Sequence, residues 1–214
     1  MSEERTGHRP FEPLGDMPPL EMGPAAHEVA DWITAYLRDT DEYPVLAQVE
    51  PGEIRTRLPK SVPEEGEDWE AIFEDFKEII MPGVTHWNHP AFHAYFSVTG
   101  SAPGILGEML ASTLNVNAMV WRSCPSGTEL EEVTAAWVRD LVGLPGFFDG
   151  IINDTASTSS LYALAAARDA KLPEASETGL GGLPRGRYYT SDQAHSSIDK
   201  AAMTLGFGRQ GVRR

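Results

Sequence analysis

Residues Gly150 to Arg168 constrain the fold of this 214-residue chain more than any other stretch. A glycine precedes a short apolar run, Ile151-Ile152, which reads as the end of a buried strand. Five small side chains follow, Thr155 to Ser159, and then Leu161, Leu164, Ala165 and Arg168 recur at helical spacing. Strand, small-residue turn and helix start, in that order, leave backbone N–H groups and hydroxyls free to meet an anion such as a phosphate. The same residues also serve as an ordinary N-cap on an Ala-rich helix. Both readings stand at this point.

The surrounding chain supplies the context. Hydrophobic residues make up 41% and charged residues 23%, a balance typical of a globular protein. No apolar run approaches the roughly 20 residues of a membrane span, and the first residues lack the apolar core of a signal peptide. Cys124 is the single cysteine, so an intrachain disulfide is impossible, and a reducing cytoplasm is the expected compartment. The net charge of −15 is concentrated at the front: residues 1–80 hold 20 acidic and 7 basic side chains, residues 81–214 hold 12 and 10. Such a chain repels a phosphate backbone, which argues against nucleic acid as a partner; no membrane partner is expected either.

Residues 1–23, rich in Pro, Glu and Gly, read as a flexible tail. Helical spacing begins at Pro24 and runs through Val29, Trp32, Ile33, Tyr36 and Leu37 to a stop before Pro44. A short element follows Pro51-Gly52, through Ile54 and Leu58. After a loop at Pro59, Pro63 and Gly66, Asp68 is placed to cap a third helix bearing Trp69, Ile72, Phe73, Phe76, Ile79 and Ile80, stopped by Pro82-Gly83. Three short helices without strands cannot close a core by themselves, so residues 24–83 are expected to pack on other surface, and their aromatic face to serve dimerisation.

From residue 84 the pattern changes. Helices are expected at Gly104–Asn115 and Ser126–Val142, with an extended piece at Asn117–Trp121 between them and a stop at Leu144-Pro-Gly146. After the Ala-rich helix, Lys171–Gly186 reads as a loop, Arg187–Ser191 as a strand and Ser196–Leu205 as a helix. Alternation of strand and helix implies an α/β layer with parallel strands.

Three motifs then carry a resemblance. They are Pro82-Gly-Val-Thr-His-Trp-Asn-His-Pro-Ala-Phe-His-Ala-Tyr-Phe96, Trp121-Arg-Ser-Cys-Pro-Ser-Gly-Thr-Glu-Leu-Glu131 and Ser191-Asp-Gln-Ala-His-Ser-Ser197. In this order they resemble segments of the group II pyridoxal-phosphate-dependent amino-acid decarboxylases, the family of the aromatic-L-amino-acid, histidine and tyrosine decarboxylases. Val49-Glu-Pro-Gly52 and Ile79-Ile-Met-Pro-Gly83 extend the similarity forward, so that it covers about Gly23 to the last residue. The resemblance implies the N-terminal part of an aspartate-aminotransferase-like, type I large domain (residues 84–214), preceded by a helical dimerisation segment (24–83).

It also implies roles. Thr155, Ala156 and Ser157 match the turn that holds the phosphate of pyridoxal 5'-phosphate, and Asp154 departs from relatives with glycine there. His195 matches the histidine that stacks on the cofactor ring and assists near the substrate carboxylate. Tyr95, Phe96, Ser97 and Val98 match pocket-lining positions, the last two departing from a frequent proline and threonine, and Asn117 and Met119 match a pocket segment contributed by a partner subunit. Among the bland alternatives, His86, His89 and His93 are interrupted by Pro90 and lack a Cys or acidic companion, so structural or pocket-lining roles are expected in place of a metal. Cys124 stands where many relatives have a small capping serine.

In the family the Schiff-base lysine follows a histidine, whereas Lys60, Lys77, Lys171 and Lys200 follow Pro, Phe, Ala and Asp. The aspartate that pairs with the ring nitrogen also lies on a later strand in the family. The chain is therefore expected to be the N-terminal part of a longer homodimeric enzyme that decarboxylates an L-amino acid, an aromatic one on the strength of Tyr95 and Phe96. Alternatives in the same fold are an aspartate/cysteine-sulfinate-type or an aldehyde-forming decarboxylase. A non-catalytic dimer partner is the rival from another class.

Overall fold

The computed structural model describes residues 17–98 and 100–214. They fall into two compact units divided after Leu110.

The first unit opens with α1 (Pro19–Arg38). Pro18 takes the N-cap position and Pro19 the first helical one, where a missing N–H costs nothing. Pro24, expected to start the helix, lies inside it instead, where its missing N–H forfeits one i→i−4 hydrogen bond. The expected tail thus includes a helical turn at residues 19–23, and residues 1–16 lie outside the described residues. Next come α2 (Glu53–Arg57) and α3 (Trp69–Asp75). The latter continues as a π-turn over Phe76–Ile80 and a 3₁₀ turn over Met81–Gly83. Asp68 does stand at the N-cap of α3, but its side chain makes no capping bond.

An aromatic cluster joins α1 to α3. Trp32 meets Phe76 edge-on at 5.0 Å and Phe73 at 6.5 Å, and Trp69 stacks on Phe73 at 5.4 Å. Trp69 Nε1 also donates to Glu28 Oε2 at 2.9 Å. These rings cover one another within the chain because α1 and α3 lie close together, while Ile72 and Ile80 of the same face stay 48% and 40% exposed. A second anchor lies at His86, which is 2% exposed. Its Nδ1 is 2.9 Å from the Tyr36 hydroxyl, its ring 4.7 Å from that of Tyr43, and its N–H donates to the Val45 carbonyl.

Across the division runs α4 (Ala102–Leu114), ended by Asn115 in the left-handed conformation (φ 47°), an Asn habit at helix C-termini. The second unit continues with α5 (Pro125–Leu141), α6 (Ala156–Lys171), α7 (Ala175–Thr178) and α8 (Ser197–Thr204). The strands β1 (Tyr188–Tyr189) and β2 (Val212–Arg213) pair in parallel, Tyr188 opposite Val212. That parallel pair with its intervening α8 is the α/β layer expected from the alternation. Helix α6 packs on α8, and the Tyr188 hydroxyl donates to the Leu164 carbonyl, tying β1 to α6.

Three local expectations are corrected here. Ile151-Ile152 is not a strand: both residues are exposed, no strand among the described residues pairs with them, and the Ile152 N–H donates to Glu131 Oε1 of α5 instead. Asn117–Trp121 is not extended. Asn117 Oδ1 accepts from the Met119 N–H and the Ser123 hydroxyl donates to the Asn117 carbonyl, a side-chain-closed turn that competes with strand geometry. The expected loop at Lys171–Gly186 contains α7.

Candidate functional site

In the second unit the small-residue turn is the N-terminus of α6. Thr155 is extended (φ −144°, ψ 155°), and its hydroxyl accepts from the Thr158 N–H at 3.2 Å. That is an N-cap, the more modest of the two readings of this turn. It leaves the N–H groups of Ala156 and Ser157 without an acceptor among the described residues. A capped 16-residue helix whose two N–H donors and Ser157 hydroxyl have no partner among the described residues suits a phosphate, because the helix dipole and the donors point the same way. Asn153 Nδ2 donates to the Ser159 hydroxyl at 3.0 Å, fixing the approach to the turn from before Asp154.

His195 lies two residues before α8, the helix packed on α6. The Ser197 N–H reaches its Nδ1 at 3.3 Å and the Ser197 hydroxyl is 3.0 Å away. A backbone N–H can only donate, so Nδ1 is the acceptor and the neutral ring carries its proton on Nε2. Ser197 is 7% exposed, which gives the imidazole a rigid support while the ring itself stays accessible. The sequence singled out His195 but not Ser197, whose bracing role needs the turn geometry to be seen.

Asn117 and Met119 share the turn before α5, the first closing it through its side chain and the second 76% exposed. Cys124 occupies the N-cap position of α5 without a capping bond, its Sγ 3.7 Å from the Ser126 hydroxyl. Gly127 faces it: a Cβ there would lie 2.9 Å from that Sγ and 3.2 Å from the Ala118 Cβ.

The first unit holds the other predicted residues. Tyr95, Phe96 and Val98 are 86%, 97% and 79% exposed, and Ser97 is exposed as well. Tyr95 takes a left-handed φ of 58°, uncommon for an aromatic residue, and its ring stacks flat on Trp87 at 5.4 Å. The three histidines nearby diverge: His86 is buried against Tyr36, His89 Nδ1 accepts from the Ala91 N–H, and His93 is exposed.

Comparison with known proteins identifies the family. The family model "Pyridoxal-dependent decarboxylase conserved domain" matches residues 51–213. Histidine decarboxylase of Mus musculus is 41% identical over 192 residues, 82% of this chain and 29% of that protein. Tyrosine/DOPA decarboxylase 2 of Papaver somniferum is 38% identical over 209 residues, 95% of this chain and 39% of that protein. Among solved structures, Oryza sativa TDC with PLP and tryptamine superimposes with a TM-score of 0.84 at 32% identity, covering 95% of this chain and 44% of that one. The chain thus spans less than half the length of these relatives. The family match takes in the small-residue turn, His195 and the Pro82–Phe96 segment together, and the fold agrees with it: the chain belongs to the pyridoxal-dependent decarboxylase family.

Proposed function

We propose that this chain forms the phosphate-binding and substrate-facing part of a pyridoxal-phosphate-dependent decarboxylase acting on an aromatic L-amino acid. The family match over residues 51–213 carries the reading, and the open N-terminus of α6 agrees with it. Thr155, Ala156 and Ser157 would hold the phosphate, with the Thr155 hydroxyl kept in place by Thr158. His195, braced by Ser197, offers a flat face to a pyridine ring and an Nε2 proton to a carboxylate. Tyr95 and Phe96 offer apolar walls, and Asn117 and Met119 would complete the pocket of a second copy in a homodimer. The likeness to the Oryza sativa structure with tryptamine favours an aromatic substrate over an acidic one. When bound, pyridoxal phosphate supplies the electron sink that lets a carboxylate leave as CO₂.

No lysine in this chain follows a histidine. Each missing charge-assisted contact removes about 1.5–3 kcal/mol. The 214-residue chain is therefore expected to bind pyridoxal phosphate weakly, through the phosphate, and to release no CO₂ from any amino acid. Binding should be displaced by inorganic phosphate and weakened in T155A/S157A. Borohydride reduction followed by peptide mapping checks the rest: stoichiometric labelling at Lys200 or another lysine, with amino-acid-dependent CO₂ release, would overturn this reading. In an enzyme that supplies the lysine, a substrate panel should favour tryptophan, tyrosine, phenylalanine and DOPA over glutamate and aspartate.

A further inference from the structure

The strongest unassigned feature lies at the other end of α6. A cavity of about 480 Å³ opens between the segment leading into β1 and the segment leading into β2. Arg185, Arg187, Arg209 and Arg213 line it, with Leu180, Leu183 and Pro184 as apolar wall. A second cavity of about 320 Å³ shares Arg185 and Arg187 and adds Arg168 and Lys171 from the last turn of α6. Six of the ten basic side chains in residues 81–214 thus line two adjoining hollows, in a chain whose net charge is −15.

No carboxylate lines either cavity. Of the six cations only Arg168 has an ion-pair partner among the described residues, Asp169. Arg209 Nε rests on the Met203 sulfur, and Arg213 donates to the carbonyls of Gln210 and Val212, which orients the guanidinium without neutralising it. The backbone adds donors: the N–H groups of Gly208, Arg209 and Gln210 find no acceptor among the described residues. Gly208 has a φ of 65°, which turns this strip of backbone in a way a side chain would resist. Like charges gathered without a counter-charge repel, and planar guanidinium forks match phosphate oxygens in pairs.

We propose that this cavity is a binding site for a small phosphorylated compound bearing a pyrophosphate group, its phosphates on the arginines and any organic body on Leu180, Leu183 and Pro184. The site is separate from the one at the start of α6. It lies where β1 and β2 begin, whereas His195 follows the end of β1, and the 16 residues of α6 span about 24 Å between its two ends. The proposal does not rest on the decarboxylase reading.

Isothermal titration of the 214-residue chain with inorganic pyrophosphate, and separately with ADP, tests it at about 0.1 M salt. The titration uses T155A/S157A, which removes the phosphate contacts at the start of α6, and saturable one-to-one binding is expected for both. Tighter ADP binding assigns an organic phosphate, and equal binding an inorganic one. Adding R185Q/R187Q to that background should weaken both by about tenfold or more. If circular dichroism shows that the arginine double variant is misfolded, R209Q on the facing wall takes its place with the same expected loss. Absence of saturation below about 10 mM, or binding that the arginine variants leave unchanged, overturns the proposal.

Discussion

At the scale of single residues, His86 shows how a side chain that looks like a ligand can be a structural part. The ring is enclosed by Tyr36 and Tyr43, with His89 on its own segment. Burial, and then the charge of His89, hold its pKa below the ordinary value of about 6.5. Burial, and then Tyr43, push the Tyr36 hydroxyl up, so it remains a neutral partner. The unfolded chain therefore takes up a proton at His86 more readily than the folded one. Stability from this site is full above the unfolded value and declines as pH falls through about 6.5 toward the folded value. Melting temperature measured from pH 7.5 to 5 should fall for the wild type and fall less steeply for H86Q, which keeps a hydrogen-bonding group but cannot titrate. The sequence disfavoured a metal at His86, His89 and His93 because Pro90 interrupts their spacing. It could not show that Tyr36, fifty residues earlier, was the partner, since that pairing depends on how α1 lies against the segment at residue 86.

At the scale of elements, the parallel pair β1–β2 depends on close approach at one glycine. A Cβ on Gly186 would lie 2.1 Å from the Phe207 ring, and that ring packs edge-on against Tyr188 at 4.7 Å. G186A should thus force Phe207 away from Tyr188 and destabilise the second unit by about 1–3 kcal/mol. Urea unfolding followed by tyrosine fluorescence measures it, and an unchanged midpoint would mean the ring yields at no cost. Helices were the most legible elements in the sequence. The expected Gly104–Asn115, Ser126–Val142 and Ser196–Leu205 are found as α4, α5 and α8 with ends shifted by one or two residues. Strands were less legible, because a strand exists only if a neighbour takes its hydrogen bonds. Ile151-Ile152 has the composition of a strand and no such neighbour among the described residues, while Tyr188-Tyr189 has one in β2.

At the scale of the whole molecule, exposed apolar surface on the helices bears on assembly. Large apolar side chains contribute, among them Leu110 and Leu114 of α4 and Trp137 and Leu141 of α5, which are 65%, 72%, 62% and 85% exposed. Such faces support association. A second copy with an obligate interface of about 2,000–5,000 Å² in total would cover such faces. Light scattering over a dilution series should return twice the chain mass, and W137E/L141E should shift it toward the monomer. A well-folded wild-type monomer at every concentration would defeat the homodimer. The sequence by itself determined the family, the run of helices and the small-residue turn, because motif order and helical periodicity are local properties written in consecutive residues. Only the tertiary structure decided that Trp32, Phe73 and Phe76 cover one another, that Ser197 braces His195, and that Arg185, Arg187, Arg209 and Arg213 meet around one hollow. Those outcomes depend on contacts between residues far apart in the chain, which no local pattern encodes.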